Sequence, residues 1–335
     1  TLCIVAFGLT ERPQTATILV SDFFGNSVDL ILEGEGVIST SLPIPLPVGA
    51  IGIDGTDRVL AVNADTLYSY QKSGNREWAL GLTQVEPSSG GFSSGPGATG
   101  VAVSDNITGP YAYIDSFRIH QNVLPQNFSK AAFDTTEKIK SRKDKNWKEK
   151  VMQGAYLVRD FERGQMSRDM TLFVDDDETA YPITASEQNQ TLLISKLSED
   201  YLSLSETYVR IFPGGRNEAP AIFKKGGKYF MFSSGLTGWK PNPGKLGVAD
   251  SMLAKWTFLG NPVVGSDEEK ATTFQSQSTY VLPVLGKKDA FIFTADRWQP
   301  KNAIDGRYVW LPVKFKNNLP YLEWAKSWDL AVFNS

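Results

Sequence analysis

The chain has 335 residues, 41% hydrophobic and 21% charged, which is enough apolar content to bury a large core in one big domain or two ordinary ones. Its 34 basic against 37 acidic side chains leave a formal net charge of -3, so no field gathers nucleic acid or an anionic membrane surface, and neither is expected as a partner. A single cysteine, Cys3, excludes internal disulfides and cysteine-rich zinc sites, and a single histidine, His120, argues against a histidine metal centre or a serine-type triad; both are expected to be structural.

The first hundred residues hold only 7 of the 39 aromatic residues. Within them LPIPLPVGAIGIDG and PSSGGFSSGPGATG are rich in proline or in glycine and serine, and are expected to be loops or linkers. The opening TLCIVAFGLT lacks the basic segment of a signal peptide, and no run of ~18 apolar residues suggests a membrane span. Three N-x-S/T sequons, at Asn106, Asn127 and Asn189, carry little weight because so short a pattern recurs by chance.

From residue 100 onward, short aromatic or β-branched runs alternate with Asp, Gly and Lys turns: GVAVSD, TLFVDDDETAYPI, QTLLISKL, KGGKYFMFSSG, STYVLPVLGKKDAFIFTADRW and GRYVWLPVKF. Long helical periodicity is scarce, and the charged run KIKSRKDKNWKEKVMQGA is expected to be a solvated helix or connecting arm. The hairpin-like units LFVDDDETAYPI, AIFKKGGKYFMF and YVLPVLGKKDAFIF return at intervals of roughly 50 residues, the spacing of propeller blades. In the first of them Asp175, Asp176 and Asp177 with Glu178 lack the glycine and distal glutamate of a calcium loop and predict a hairpin turn.

With histidine and cysteine nearly absent, carboxylates, amides and arginines are the reactive side chains that remain, and glycoside hydrolysis is a common chemistry needing only two carboxyl groups. Glu218 in NEAPAIF stands before a strand, either as a surface residue or at a strand mouth where partial burial raises its pKa and keeps it protonated. Asp169 follows Arg168, which makes either a surface ion pair or an aspartate held ionised in a cleft. Trp239 in TGWKPNP and Trp298 in DRWQP suit stacking on a sugar face, or packing between blades.

The set SRDMTLFVDDD, NEAPAIFKKGGKYFMFSSGLTGWKPNP, FQSQSTYVLPV, DRW and GRYVWLP resembles glycoside hydrolase family 43, and within it the branch of exo-β-1,3-galactanases, from about Val101 to Phe333. The resemblance implies an all-β, five-bladed β-propeller spanning 1–335, with 1–100 as an atypical first-blade region and 101–335 as family-like blades. It implies an inverting exo-hydrolase that releases galactose from β-1,3-galactan or arabinogalactan, with arabinofuranosidase, xylosidase or a non-catalytic sugar-binding propeller as alternatives. Glu218 matches the general acid, and Asp169, with Arg168 beside it, matches the carboxylate that tunes that acid. Most of the family has a carboxylate near the N-terminus as general base; the galactanase-like branch lacks it and uses a glutamine, which here matches Gln277, although an amide is a poor base. Glu187, Trp239, Arg297 and Trp298 match a sugar subsite. The partner implied is an oligo- or polysaccharide, which places the protein outside the cytoplasm, in the periplasm or secreted. No cofactor is required; calcium occurs at the axis in parts of the family, but His120 lies in no matching motif. The family's AHGGG-like and YYWYGE-like strands are missing, and ERP at Glu11 to Pro13 stands too far from GVAVSD to match its third motif. The first hundred residues are therefore expected to be a strongly diverged blade or a stretch altered in its reading frame.

Overall fold

In the computed structural model of the chain, the described residues are 97–105, 111–139, 146–238, 240–299 and 305–334, together with the course of seven strands between residues 17 and 81. Two compact units form, residues 1–93 with 100–115, and residues 94–99 with 116–335.

The first unit contains β1–β3 (Thr17–Val20, Val28–Glu33, Ile38–Leu42) and β4–β7 (Val48–Ile53, Val59–Asn63, Thr66–Tyr70, Arg76–Gly81), each set an antiparallel meander. β4 lies inside LPIPLPVGAIGIDG, which corrects the loop expectation for that stretch. Beyond Pro47 no residue there lacks a backbone N–H, so the ladder with β5 is unhindered. β8 and β9 (Thr99–Val103, Ala112–Phe117) then pair with each other.

In the second unit three short helices, α1–α3 (Lys130–Thr135, Trp147–Met152, Ala155–Asp160), precede β10–β13 (Met170–Val174, Ala180–Ser186, Thr191–Leu197, Leu204–Ile211). There follow β14–β17 (Glu218–Lys225, Lys228–Ser234, Lys245–Ala249, Thr257–Gly260), β18 (Val263–Val264), α4 (Asp267–Thr272), β19–β21 (Gln277–Pro283, Phe291–Arg297, Arg307–Pro312), β22 (Lys314–Lys316) and β23 (Leu319–Glu323). Thus five antiparallel meanders of three or four strands succeed one another along the chain, the blade repeat of an all-β propeller.

All three expected hairpins form, β10–β11, β14–β15 and β19–β20. The acidic triplet turns the first, and Gly226 and Gly227, both at positive φ, turn the second. α4 begins with a capping box in which Ser266 Oγ accepts from the Glu269 N–H while a Glu269 carboxylate oxygen accepts from the Ser266 N–H.

The core lies between successive sheets of the second unit. Ile183, Ile194, Val209, Ile222, Met231 and Trp256 pack β10–β13 against β14–β17. Phe223, Phe230, Phe232, Phe291, Phe293 and Leu311 do the same for β14–β17 and β19–β21. Phe223 sits at the hub of the second cluster, with ring centroids 5.4, 5.6 and 4.8 Å from Phe230, Phe232 and Phe291. Each such ring contributes about 1.5–3 kcal/mol on burial, so the sheets that carry the site are rigidly joined.

The charged run around residue 150 is helical but not wholly solvated. Val151 of α2 and Ala155 and Tyr156 of α3 are buried together with Ile139, because the apolar residues of this otherwise basic stretch meet where the two short helices adjoin. His120 is structural as expected: it is buried, stacks on Tyr208 at 3.6 Å, and shares a 2.6 Å hydrogen bond with Ser195. Burial holds its pKa down at about 3, so it is neutral throughout the physiological range. Cys3 and Asn106 lie outside the described residues.

Candidate active site

Glu218 opens β14, directly after a tight turn and just before Pro220. Its strand pairs with β15 so that Glu218 faces Ser234, and the register shifts between Glu218 and Ala221. The shift is a bulge: Ala219 stands at φ +51°, a left-handed conformation costly for any residue with a Cβ. Asp169 stabilises this backbone directly, its Oδ2 accepting from the Ala219 N–H at 3.1 Å. Strain of this kind concentrates at functional sites, where it aims a side chain that a regular strand would turn elsewhere.

The carboxyl of Glu218 is half-buried, and its pKa is pushed up to about 6. Desolvation is the largest cause and the negative charge of Asp169 the second. Asn189 Nδ2, donating to Oε1 at 2.5 Å, and the charges of Arg168 and Arg216 pull the other way without cancelling the rise. The result is a carboxylic acid that keeps its proton into the weakly acidic range, beside an exposed aspartate.

Asp169 is set by the segment leading into β10. Arg168 N–H donates to Ala185 O at 2.9 Å and Ala185 N–H to Asp169 O at 2.8 Å, so this pair is stitched to β11 before β10 begins. Gln277 opens β19 in the next sheet. Its Nε2 donates to Ser234 Oγ at 2.7 Å, and the neighbouring Ser278 Oγ donates to Ala219 O at 2.6 Å. Glu218, Asp169 and Gln277 are therefore brought together, each from the start of a different sheet and each tied to residues 218–219 or to the strand opposite them.

Arg297 and Trp298 follow Asp296, which pairs with Gln277 in the ladder. Arg297 ends β20, donates from Nε to Phe274 O at 3.0 Å, and lies over the Trp324 ring at 5.0 Å. Phe274 belongs to the left-handed run Thr273, Phe274, Gln275 that leads into Gln277, so Arg297 fixes the loop carrying the amide. Trp298 is half-exposed. Trp239 lies outside the described residues.

Glu187 differs from its expected place lining an open subsite. It is fully buried, and both carboxylate oxygens are held by Arg210, Oε1 by Nε at 2.6 Å and Oε2 by Nη2 at 2.8 Å. The reason is the tight loop between β11 and β12, in which Glu187, Gln188 and Asn189 all adopt positive φ. That loop turns Glu187 inward onto β13 and presents Asn189, next but one, to Glu218. Glu187 is thus a brace beneath the site.

Asn189 is a site residue that sequence reasoning misses, since its only linear signal is a sequon of the kind that recurs by chance. Ser234 and Ser278 give no signal at all, because a serine in a strand becomes informative only when its cross-sheet partner is known. Around the acid, Asn189 Oδ1, Asn217 Nδ2, Ser167 Oγ and Ser186 Oγ are buried with no hydrogen-bond partner among the described residues. Buried polar atoms without partners each cost about 1–3 kcal/mol, so the segments carrying Asp169, Asn189 and Glu218 are held in place at a cost in stability. Among the described residues no group of three or more His, Cys, Asp or Glu could hold a metal ion, and no helix is long and apolar enough to cross a membrane.

Residues 135–316 match the sequence profile of Glycosyl hydrolases family 43. The chain belongs to this family. A family 43 β-1,3-galactosidase solved with galactodeoxynojirimycin is 37% identical, the match covering 93% of this chain and 89% of that one, with a TM-score of 0.67. A second family 43 β-1,3-galactosidase is 29% identical over 92% of this chain and 55% of its own, at a TM-score of 0.57. An exo-β-1,3-galactanase from Clostridium thermocellum, 22% identical over 91% and 57% at a TM-score of 0.53, shares the fold. This chain spans little more than half the length of the last two. A comparison with curated proteins returns no match.

Proposed function

We propose that this family 43 chain is an inverting exo-glycosidase that removes galactose from the non-reducing ends of β-1,3-galactan or of arabinogalactan side chains. The observation that carries the reading is the Glu218 carboxyl, raised to about 6 by burial and by Asp169. Such a group is protonated at weakly acid pH and can hand its proton to a leaving glycosidic oxygen. The choice of galactose rests on the likeness to a β-1,3-galactosidase at 37% identity over 93% of the chain.

Glu218 protonates the leaving oxygen as the glycosidic bond breaks. Asp169 raises the acid's pKa and anchors the bulged backbone that aims it. Gln277, its Nε2 engaged by Ser234, holds the attacking water through Oε1 on the opposite face of the sugar. Arg168 meets sugar hydroxyls, while Trp298, Trp239 and Arg297 supply the stacking wall and its support. In this reading the whole chain is one catalytic propeller domain, needs no metal or other cofactor, and works outside the cytoplasm where such glycans occur.

The test is release of monosaccharide from β-1,3-galactobiose, run beside aryl α-L-arabinofuranoside and aryl β-xyloside. Turnover of galactobiose at least tenfold faster than of the other two is the expected outcome. The reverse order would reassign the sugar, and no turnover of any would remove the enzymatic reading.

A further inference from the structure

Resting on the reading of Glu218 as proton donor, we propose that Lys245 is a positioning residue whose ammonium clamps the turn 215–217 and thereby delivers Glu218 to the leaving oxygen. Lys245 opens β16 opposite Ser233, the neighbour of the serine that faces Glu218, so it stands two strands from the acid in the same sheet. Its Nζ donates to Gly215 O at 2.6 Å, to Arg216 O at 2.9 Å and to Asn217 Oδ1 at 3.2 Å. An ammonium has three protons, and all three are directed to consecutive residues immediately before Glu218.

That turn does not hold its shape by propensity. Phe212, Gly214, Arg216 and Ala219 stand at φ +49°, +74°, +55° and +51°, and three of the four carry a Cβ. A Cβ added at Gly215 would lie 2.5 Å from Asn217 Nδ2 and 2.8 Å from Phe212 O, so the turn is already closed upon itself. Two backbone carbonyls and an amide oxygen converging on one point repel each other unless a cation lies between them, and Lys245 supplies it. Lys245 also lines a small cavity of ≈ 10 Å³ with Gln277 and with Ser234, the ladder partner of Glu218.

The test compares two substrates. β-1,3-Galactobiose needs a proton on its leaving oxygen, whereas β-galactosyl fluoride releases fluoride with little help from an acid. Lys245→Met is expected to lose about 10–100-fold in kcat/KM on galactobiose, the size of effect that a displacement of about 1 Å produces, and less than threefold on the fluoride. Equal losses on both substrates, with Glu218→Gln still losing mainly on galactobiose, would overturn the clamp and leave the acid in place. Equal losses in Glu218→Gln would overturn the acid reading itself. Hydrogen exchange then judges the clamp without reference to substrate: faster exchange in Lys245→Met confined to residues 212–220 supports it, and unchanged exchange there overturns it. Should Lys245→Met not fold, Asn217→Ala removes one of the three acceptors, and the same two-substrate pattern at smaller size is expected.

Discussion

Asn189 donates from Nδ2 to Oε1 of Glu218 over 2.5 Å, a hydrogen bond from the β11–β12 loop to the first residue of the next sheet. It opposes the neighbouring charge of Asp169: the amide favours the ionised carboxylate and the aspartate disfavours it. Burial makes the largest contribution to the raised pKa of Glu218, and on top of it these two residues pull in opposite directions, so removing either one moves it in a known direction.

Because the proton donor must be protonated, kcat/KM falls as pH rises through the pKa of Glu218, about 6. Asn189→Ala removes the bond that lowers that pKa, so the alkaline limb moves to higher pH. Asp169→Asn removes the charge that raises it, so the limb moves to lower pH. Both variants also lose peak rate through misplacement of the acid. Limbs that shift in the same direction in a pH–rate series would show that these residues do not act on Glu218 as described.

Glu218→Gln is expected to reduce turnover by about 10²–10⁴-fold, the usual contribution of a general acid. The same variant should be more stable at neutral pH. The folded-state pKa of Glu218 is raised from 4.5 to about 6, so the folded state binds more protons across that interval. Stability is fully present below 4.5 and is lost as pH rises through about 6. Discounted for the partial solvent access of the group, the loss is about 1 kcal/mol. Urea unfolding at pH 7 and pH 4 measures it: the Glu218→Gln variant should gain at pH 7 and show no gain at pH 4.

The ion pair of Glu187 and Arg210 predicts a different balance. Arg210 also donates to Val151 O at 3.3 Å and lies over Phe128 at 5.5 Å, so it ties β13 to α2 and to the loop before α1. Arg210→Met leaves the Glu187 carboxylate buried and alone, a loss of about 3–5 kcal/mol. Activity should fall as well in the molecules that remain folded, because the left-handed loop that presents Asn189 loses its anchor. A shift of less than 1 kcal/mol in the urea midpoint, taken with an unchanged m-value, would mean that the pair is dispensable.

Much of this arrangement is legible in the sequence. The alternating runs around the acidic triplet, the double glycine at 226–227 and LGKKD mark three hairpins, and each forms, because their turn chemistry and period-2 pattern agree. Glu218, Asp169 and Gln277 can be named from their motifs, and they converge. What a linear reading misses is set by contacts across sheets. Lys245 looks like an ordinary surface lysine until β16 is laid beside β15, and Glu187 looks like a subsite residue until its loop folds it onto Arg210. In the first hundred residues the proline-rich stretch conceals β4, since prolines that stop before a strand look locally the same as prolines that prevent one.

The stereochemistry of the product tests the two faces of the site together. Glu218 and Gln277 come from adjacent sheets and are joined through Ser234, which accepts from Gln277 Nε2 and itself stands opposite Glu218 in the ladder. One of the two Gln277 Nε2 hydrogens is engaged by Ser234, which leaves Oε1 for a water in the proposed site, and Asp169 is engaged by the Ala219 N–H. In the proposed reaction a water held by Gln277 attacks the face opposite the departing oxygen in a single displacement, passing its proton to bulk solvent while Glu218 gives its own to that oxygen, and the configuration at the anomeric carbon inverts. Proton NMR of fresh β-1,3-galactobiose digests should therefore show α-galactose first, with the β anomer growing only at the rate of mutarotation. Gln277→Ala should slow that release strongly while leaving the Glu218 limb in place in the pH profile of the residual activity. An initial excess of β-galactose would instead require two successive displacements through a carboxylate nucleophile, and Asp169 would then have to leave the Ala219 amide to attack the sugar.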